Sequence, residues 1–172
     1  RFQIDREIKK YAQEAVIVTL DHVLNGAVLT CMRGAEAIDN GFPLIFCDCD
    51  LMFSSEKLYK YTESPDYNGT ELDGWLMSFV KTDEEGFVTE TAEKKTISDR
   101  AVCGAYGFGN KELFLKYANV YLTDCPYDEY FMSGVYNEMI RNGKRIGEFP
   151  ADSFLSFGTP EEYDSAVELL KE

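Results

Sequence analysis

The run Pro43-Leu44-Ile45-Phe46-Cys47-Asp48-Cys49-Asp50 constrains the fold more than any other segment, because an apolar stretch ends abruptly in two carboxylates one residue apart. A parallel strand buried on both faces reads as a continuous apolar run. Open α/β sheets bind their ligands beyond the carboxyl ends of such strands. In an extended strand, residues two apart share a face. The spacing therefore predicts Asp48 and Asp50 addressing one site, with Cys47 and Cys49 packed on the other side. Acids so placed are candidate ligands for a hard cation carrying phosphate oxygens. The competing explanation is local: an Asp-x-Asp at a strand end can simply cap the next helix.

The flanking sequence builds outward from this strand. Ala15-Val16-Ile17-Val18-Thr19-Leu20 is apolar and β-branched, which predicts a second buried strand. Gly26 follows in a loop, and Ala27, Cys31, Ala35 and Ile38 recur at helical spacing up to Asn40-Gly41. Strand, loop, helix and strand in this order predict a βαβ unit. Further on, Ser54 to Tyr61, Lys111 to Ala118 and Tyr130 to Arg141 are helical by pattern. Gly74 to Val80 and Ala101 to Phe108 are strands, and Asp83-Glu84-Glu85-Gly86 is a turn between two more. Thr159-Pro160-Glu161-Glu162 supplies an N-cap, a proline at the first helical position and a capping-box glutamate before Tyr163 to Leu170. The expectation is a single α/β domain over residues 1 to 172, three layers deep, with helices on both faces of a mixed, mostly parallel sheet.

Composition narrows the function classes. With 31 Asp+Glu against 17 Lys+Arg and a net charge of -14, the chain lacks the broad basic footprint that nucleic acid requires. A phosphorylated substrate would need a cation and a few local positive groups. No run reaches the roughly 20 apolar residues of a membrane span, and no leader is visible, so a soluble cytoplasmic protein with no membrane partner is expected. The five cysteines include no Cys-x-x-Cys, and with one histidine, His22, they make a poor zinc set. They are expected to be structural thiols in a reducing compartment.

Taken in order, the segments resemble the sugar nucleotidyltransferases, or NDP-sugar pyrophosphorylases, from about Ile4 to Leu170. Asn25-Gly26-Ala27 followed by Thr30 resembles the family's Gly-Ala loop beside the nucleotide base. The strand ending at Asp50 is similar to its metal-binding strand. Glu85-Gly86-Phe87-Val88 with Glu93-Lys94-Lys95 resembles its "G-x-V…E-K-P" signature, and Gly104-Ala105-Tyr106-Gly107-Phe108 its "G-x-Y-x-F" strand. Glu129-Tyr130 with Val135-Tyr136-Asn137 is similar to the acidic helix near the sugar, and Phe157-Gly158-Thr159-Pro160-Glu161-Glu162 to the "G-T-P-E-D" ending.

The resemblance implies a Rossmann-like nucleotide-diphospho-sugar transferase fold. It also implies transfer of a nucleoside monophosphate from a nucleoside triphosphate to a sugar-1-phosphate or similar phosphorylated alcohol, for polysaccharide assembly. Asp50 and Lys94 are the implied catalytic residues, Asp50 and Asp48 the Mg²⁺ ligands. Asn25, Gly26, Ala27 and Asp48 are the implied nucleotide contacts, and Glu93, Gly104 and Glu129 the sugar contacts. A homo-oligomer is compatible with this.

The chain departs from the family at identifiable places. The Gly-rich triphosphate loop and its basic residues are not seen before the helix at the start, so the N-terminal part is expected to be incomplete and the chain as written weak or inactive. Leu24 stands where threonine or glutamine is expected before the Gly-Ala pair, and Ser156 where a second metal-binding aspartate is expected. The excursion usual after the Trp75 strand is short. Three rivals stay open: a metal-dependent glycosyltransferase using Asp48-Cys49-Asp50 as its Asp-x-Asp, a dehalogenase-type phosphatase with Asp48 as nucleophile, and a degenerate domain that binds a nucleotide or sugar phosphate without turnover.

Overall fold

The structure is a computed structural model that describes residues 3–39, 41–64, 72–77, 80–91 and 104–171. Its helices are α1 (Ile4–Tyr11), α2 (Ala27–Ala35), α3 (Glu56–Thr62), α4 (Lys111–Thr123), α5 (Met132–Arg141) and α6 (Pro160–Leu169). Its strands are β1 (Leu44–Cys47), β2 (Leu51–Ser54), β3 (Gly74–Met77), β4 (Lys81–Thr82), β5 (Val88–Glu90), β6 (Ala105–Phe108), β7 (Ile146–Glu148) and β8 (Ser153–Ser156).

The central sheet has the order β1-β6-β3-β7. It is mixed, as expected; among the described strands β6 pairs antiparallel with both β1 and β3, and β3 pairs parallel with β7, so these pairings are less parallel than expected. Alternation along the strands divides the apolar side chains between two faces. Leu44, Leu76 and Phe108 join α2, α4 and α5 in the larger core, around Phe114, Tyr121, Val135, Tyr136 and Met139. On the opposite face Trp75, Met77 and Ala105 pack with Leu58 of α3 and with Phe149. Helices therefore cover both sides of the sheet.

Two small ribbons complete the frame. β2 leaves the central sheet and pairs with β8, Leu51 opposite Ser156. β4 and β5 form the expected hairpin, whose turn is set by Asp83: its carboxylate accepts the Glu85 and Phe87 N–H groups at 3.0 and 2.9 Å. Side-chain caps close the N-termini of three helices, that of α6 as expected. Ser55 accepts the Leu58 N–H, Asn110 that of Leu113, and Thr159 and Glu162 close a reciprocal capping box on α6. No helix among the described residues is long and apolar enough to cross a membrane.

The segment Ala15 to Leu20 departs from the expected buried strand. It is irregular, pairs with no described strand, and leaves Val16, Ile17 and Val18 exposed. Its neighbour α1 buries none of its own residues, so the two line an open groove of about 1190 Å³. The βαβ unit read from the sequence is thus absent in this form, because an apolar run becomes a buried strand only where a neighbour supplies its ladder and its cover.

Candidate functional site

β1 stops at Cys47, and residues 48 to 50 turn into β2. Asp48 and Asp50 are therefore not two residues of one extended strand, and Cys47 and Cys49 are exposed rather than packed behind them. What brings the acids together is the turn. Asp48 donates its N–H to the Gly104 carbonyl at 2.8 Å, and the Asp50 carbonyl accepts the Phe157 N–H at 2.8 Å. Both are held at the carboxyl end of β1, where β6 begins and β8 ends.

Partial burial, and then the neighbouring Asp50, push the Asp48 carboxyl above its ordinary range. A carboxylate whose charge is disfavoured by its surroundings and an acidic neighbour is a natural place for a cation. Among the described residues no cluster of three or more His, Cys, Asp or Glu gathers to hold a metal. The donor set fits Mg²⁺ rather than zinc, since Mg²⁺ binds through one or two carboxylates, retains waters and takes further oxygens from substrate phosphates.

Two glycines make room around the acids. At Gly104, with φ of +60°, a Cβ would lie 2.4 Å from Asp48 Oδ2. At Gly158 a Cβ would lie 3.2 Å from Asp50 Oδ2, 3.4 Å from Glu162 Oε2 and 3.7 Å from Ser156 Oγ. Ser156 thus stands beside Asp50, where the resemblance led us to expect a second aspartate. The Gly158–Glu162 neighbourhood of Asp50 was not read from the sequence, although the capping box that fixes Glu162 was.

Gly26 is the N-cap of α2, with φ of +102°. Its Cα faces the backbone of Tyr130, and a Cβ there would lie 2.5 Å from the Tyr130 carbonyl and 3.0 Å from Glu129 Cγ. Asn25 Nδ2 donates to the Asp128 carbonyl at 2.9 Å, and the Val28 N–H donates to that of Tyr130 at 3.2 Å. Asn25, Gly26, Ala27 and Glu129 are thereby assembled, and Gly26, Ala27 and Glu129 share a cleft of about 610 Å³ with Thr30 and residues 20 to 24. The Glu129 loop itself is ordered around Cys125, whose thiol contacts the Tyr121 hydroxyl at 3.1 Å and the Tyr127 carbonyl at 3.4 Å.

α2 packs on α4 and α5, and its Val28 and Ala35 share the larger core with Leu44 of β1. Burial, and then the Asp48 carboxylate, push the thiol of Cys31, one turn beyond Ala27, up to about 12. On the other face of the sheet a mostly apolar cleft of about 470 Å³ runs from Asp48 and Cys47 past Met52 to Trp75. Glu93 and Lys94 lie outside the described residues.

No protein-family model matches the sequence, and no curated protein matches it either. Solved structures do. The nucleoside-diphosphate-sugar pyrophosphorylase from Vibrio cholerae RC9 superposes with a TM-score of 0.77 at 22% identity, covering 97% of this chain and 77% of that one. The inositol-1-phosphate CTP transferase from T. maritima gives 0.72 at 13% identity, with 97% and 70% covered. An apo UDP-glucose pyrophosphorylase gives 0.62 at 15% identity, with 99% and 74% covered. The chain therefore has the α/β fold of the sugar nucleotidyltransferases, as the ordered motifs between Asn25 and Glu162 led us to expect.

Proposed function

We propose that the protein is a nucleotidyltransferase that passes a nucleoside monophosphate from a nucleoside triphosphate to a sugar-1-phosphate or similar phosphorylated alcohol. A phosphate oxygen of the acceptor attacks the α-phosphorus, the bond to the β-phosphate breaks, and pyrophosphate leaves. The observation that supports this most directly is the placement of Asp48 and Asp50 at the carboxyl end of β1, within the fold shared with solved pyrophosphorylases.

Transfer at phosphorus depends on positioning and charge neutralisation more than on an acid or base. A Mg²⁺ held by Asp50 and Asp48 would supply charge neutralisation on the phosphates. Gly26 lets the Tyr130 backbone close on the first turn of α2, and the cleft lined by Ala27, Thr30 and Glu129 has room for a base. Lys94 is assigned to the acceptor phosphate and Glu93 to the acceptor hydroxyls. Gly104 keeps the Asp48 carboxylate in place by leaving it space.

The deciding experiment is pyrophosphate release by the full-length protein with Mg²⁺, each nucleoside triphosphate, and a panel of sugar-1-phosphates and inositol-1-phosphate. Formation of an NDP-linked product with stoichiometric pyrophosphate is expected. Consumption of NDP-sugar with no triphosphate requirement would replace the assignment with a glycosyltransferase. Tight nucleotide binding without any product would make the chain a binding domain.

A further inference from the structure

We propose that the Glu129 carboxylate selects the base of the triphosphate, favouring one that carries an exocyclic amino group, and that Asn25 is the positioning residue that aims it. This rests on the nucleotidyltransferase assignment above and adds the class of nucleotide to it. The resemblance places Glu129 with the sugar contacts. Its side chain, however, lines the same cleft as Gly26, Ala27 and Thr30, and a Cβ on Gly26 would lie 3.0 Å from its Cγ.

Asn25 holds both of the peptide groups that flank the Glu129 Cα. Its Nδ2 donates to the Asp128 carbonyl at 2.9 Å, on one side, and its own carbonyl accepts the Tyr130 N–H at 3.4 Å, on the other. A peptide group is planar, so holding the two planes sets the direction in which the Glu129 side chain leaves the backbone. The second plane has further support. The Cys125 thiol reaches the Glu129 carbonyl at 3.7 Å, and the Val28 N–H donates to the Tyr130 carbonyl at 3.2 Å. Gly26 completes the arrangement by leaving the Glu129 stem its room.

Three titratable side chains line the cleft: Asp21, His22 and Glu129. Asp21 is paired with His22, whereas the Glu129 carboxylate forms no hydrogen bond or ion pair among the described residues. An ionised carboxylate accepts hydrogen bonds and donates none. Adenine, cytosine and guanine each carry an amino group that donates; thymine and uracil turn a carbonyl oxygen outward where cytosine has that group. A carboxylate facing this edge attracts the first kind and repels the second. Leu24, on the same wall, brings no polar group, and the Thr30 hydroxyl can donate or accept, so it tolerates either kind.

The test measures binding of ATP, GTP, CTP, UTP and dTTP with Mg²⁺ to the full-length protein by calorimetry, together with pyrophosphate release from each. At least one amino-bearing triphosphate is expected to bind about tenfold or more tighter than UTP and dTTP, as a hydrogen bond to a charged group allows. Glu129→Gln keeps the shape but can turn either end of its amide to the base, so the preference should shrink to within about threefold. Asn25→Ala should lose most of the preference, and the Tyr130 amide should exchange hydrogen faster. In the Glu129→Gln background it should change the preference no further. Asn25→Ser keeps a shorter donor and should fall between wild type and Asn25→Ala. If Asn25→Ala does not fold, Asn25→Ser decides by the same pattern.

UTP or dTTP bound as tightly as the rest, or a preference that survives Glu129→Gln, would overturn the role of Glu129. A preference that survives Asn25→Ala or Asn25→Ser while the Tyr130 amide opens would overturn the role of Asn25. Either result leaves the nucleotidyltransferase assignment standing if an NDP-linked product forms. Selective binding with no product from any triphosphate would overturn that assignment and leave the base selection by Glu129 in place.

Discussion

The Cα of Gly26 sits so close to the Tyr130 peptide that a methyl group there would come within 2.5 Å of its carbonyl oxygen and 2.6 Å of its nitrogen. The contact couples the first turn of α2 to the loop carrying Glu129. It also explains why this N-cap is glycine rather than serine or aspartate: no capping side chain fits. The φ of +102° is disfavoured for any L side chain as well. Gly26→Ala is expected to destabilise the fold by about 2 kcal/mol or more in urea titration. Triphosphate affinity should fall in the protein that remains folded, measured by calorimetry. An alanine variant as stable as wild type would show that the two segments part without cost.

Tyr136 gives a second prediction, in the core rather than the site. Its ring is fully buried, and its hydroxyl lies 2.8 Å from the Trp75 carbonyl and 2.9 Å from the Gly107 carbonyl, on the two paired central strands. Burial holds the phenol neutral far above its ordinary range. One proton is thus shared between two acceptors that no water reaches. Tyr136→Phe keeps the ring and removes that proton, and should cost about 1–3 kcal/mol. Equilibrium unfolding would read it. An unchanged midpoint would mean that the carbonyls find other partners.

The cysteines yield a third. Burial and Asp48 hold the Cys31 thiol near 12, and the same two causes, in the same order, raise that of Cys47. A thiol reacts as its thiolate. Iodoacetamide at pH 8 should therefore modify exposed Cys49 ahead of exposed Cys47, and leave Cys31 intact until the protein unfolds. Peptide mass spectrometry over time gives the order. Early labelling of Cys31 would contradict its packing against the larger core.

What the sequence reveals of this protein is what neighbours along the chain decide. The α6 capping box and the Asp83 hairpin turn form as read, since each joins residues no more than four apart. The Gly26 loop was legible as a motif, but its partner was not. Nothing local announces that the Tyr130 backbone, about a hundred positions away, will close on it. β2 and β8 escaped notice for the same reason, being four-residue strands that pair across the length of the chain. Val16 to Val18 failed in the opposite sense: the pattern records a need for burial, while burial itself depends on what stands alongside. For the acid pair the expected strand face is replaced by a turn after Cys47, which the apolar run before it does not announce.

That acid pair supports a final prediction, in which the sign of the charge effect can be worked out. The Asp48 carboxyl is raised in the folded protein by partial burial and then by Asp50. A group whose folded pKa exceeds its unfolded one contributes stability that is complete below the unfolded value, and that is lost as pH rises through the folded value. For Asp48 this window begins at the ordinary carboxylate range near 3.9 and extends upward. In metal-free protein at neutral pH the ionised pair therefore costs stability. Asp48→Asn should melt at or above the wild-type temperature at pH 7, with the difference vanishing near pH 3. Mg²⁺ relieves the same repulsion, so it should raise the wild-type melting temperature at pH 7 and have little effect on Asp50→Asn. That second variant should keep its fold, because the Phe157 contact uses the Asp50 carbonyl and not its side chain. It should also lose Mg²⁺-dependent turnover by about 100-fold or more if the ion is held there. Equal Mg²⁺ responses in wild type and Asp50→Asn would move the cation away from the carboxyl end of β1.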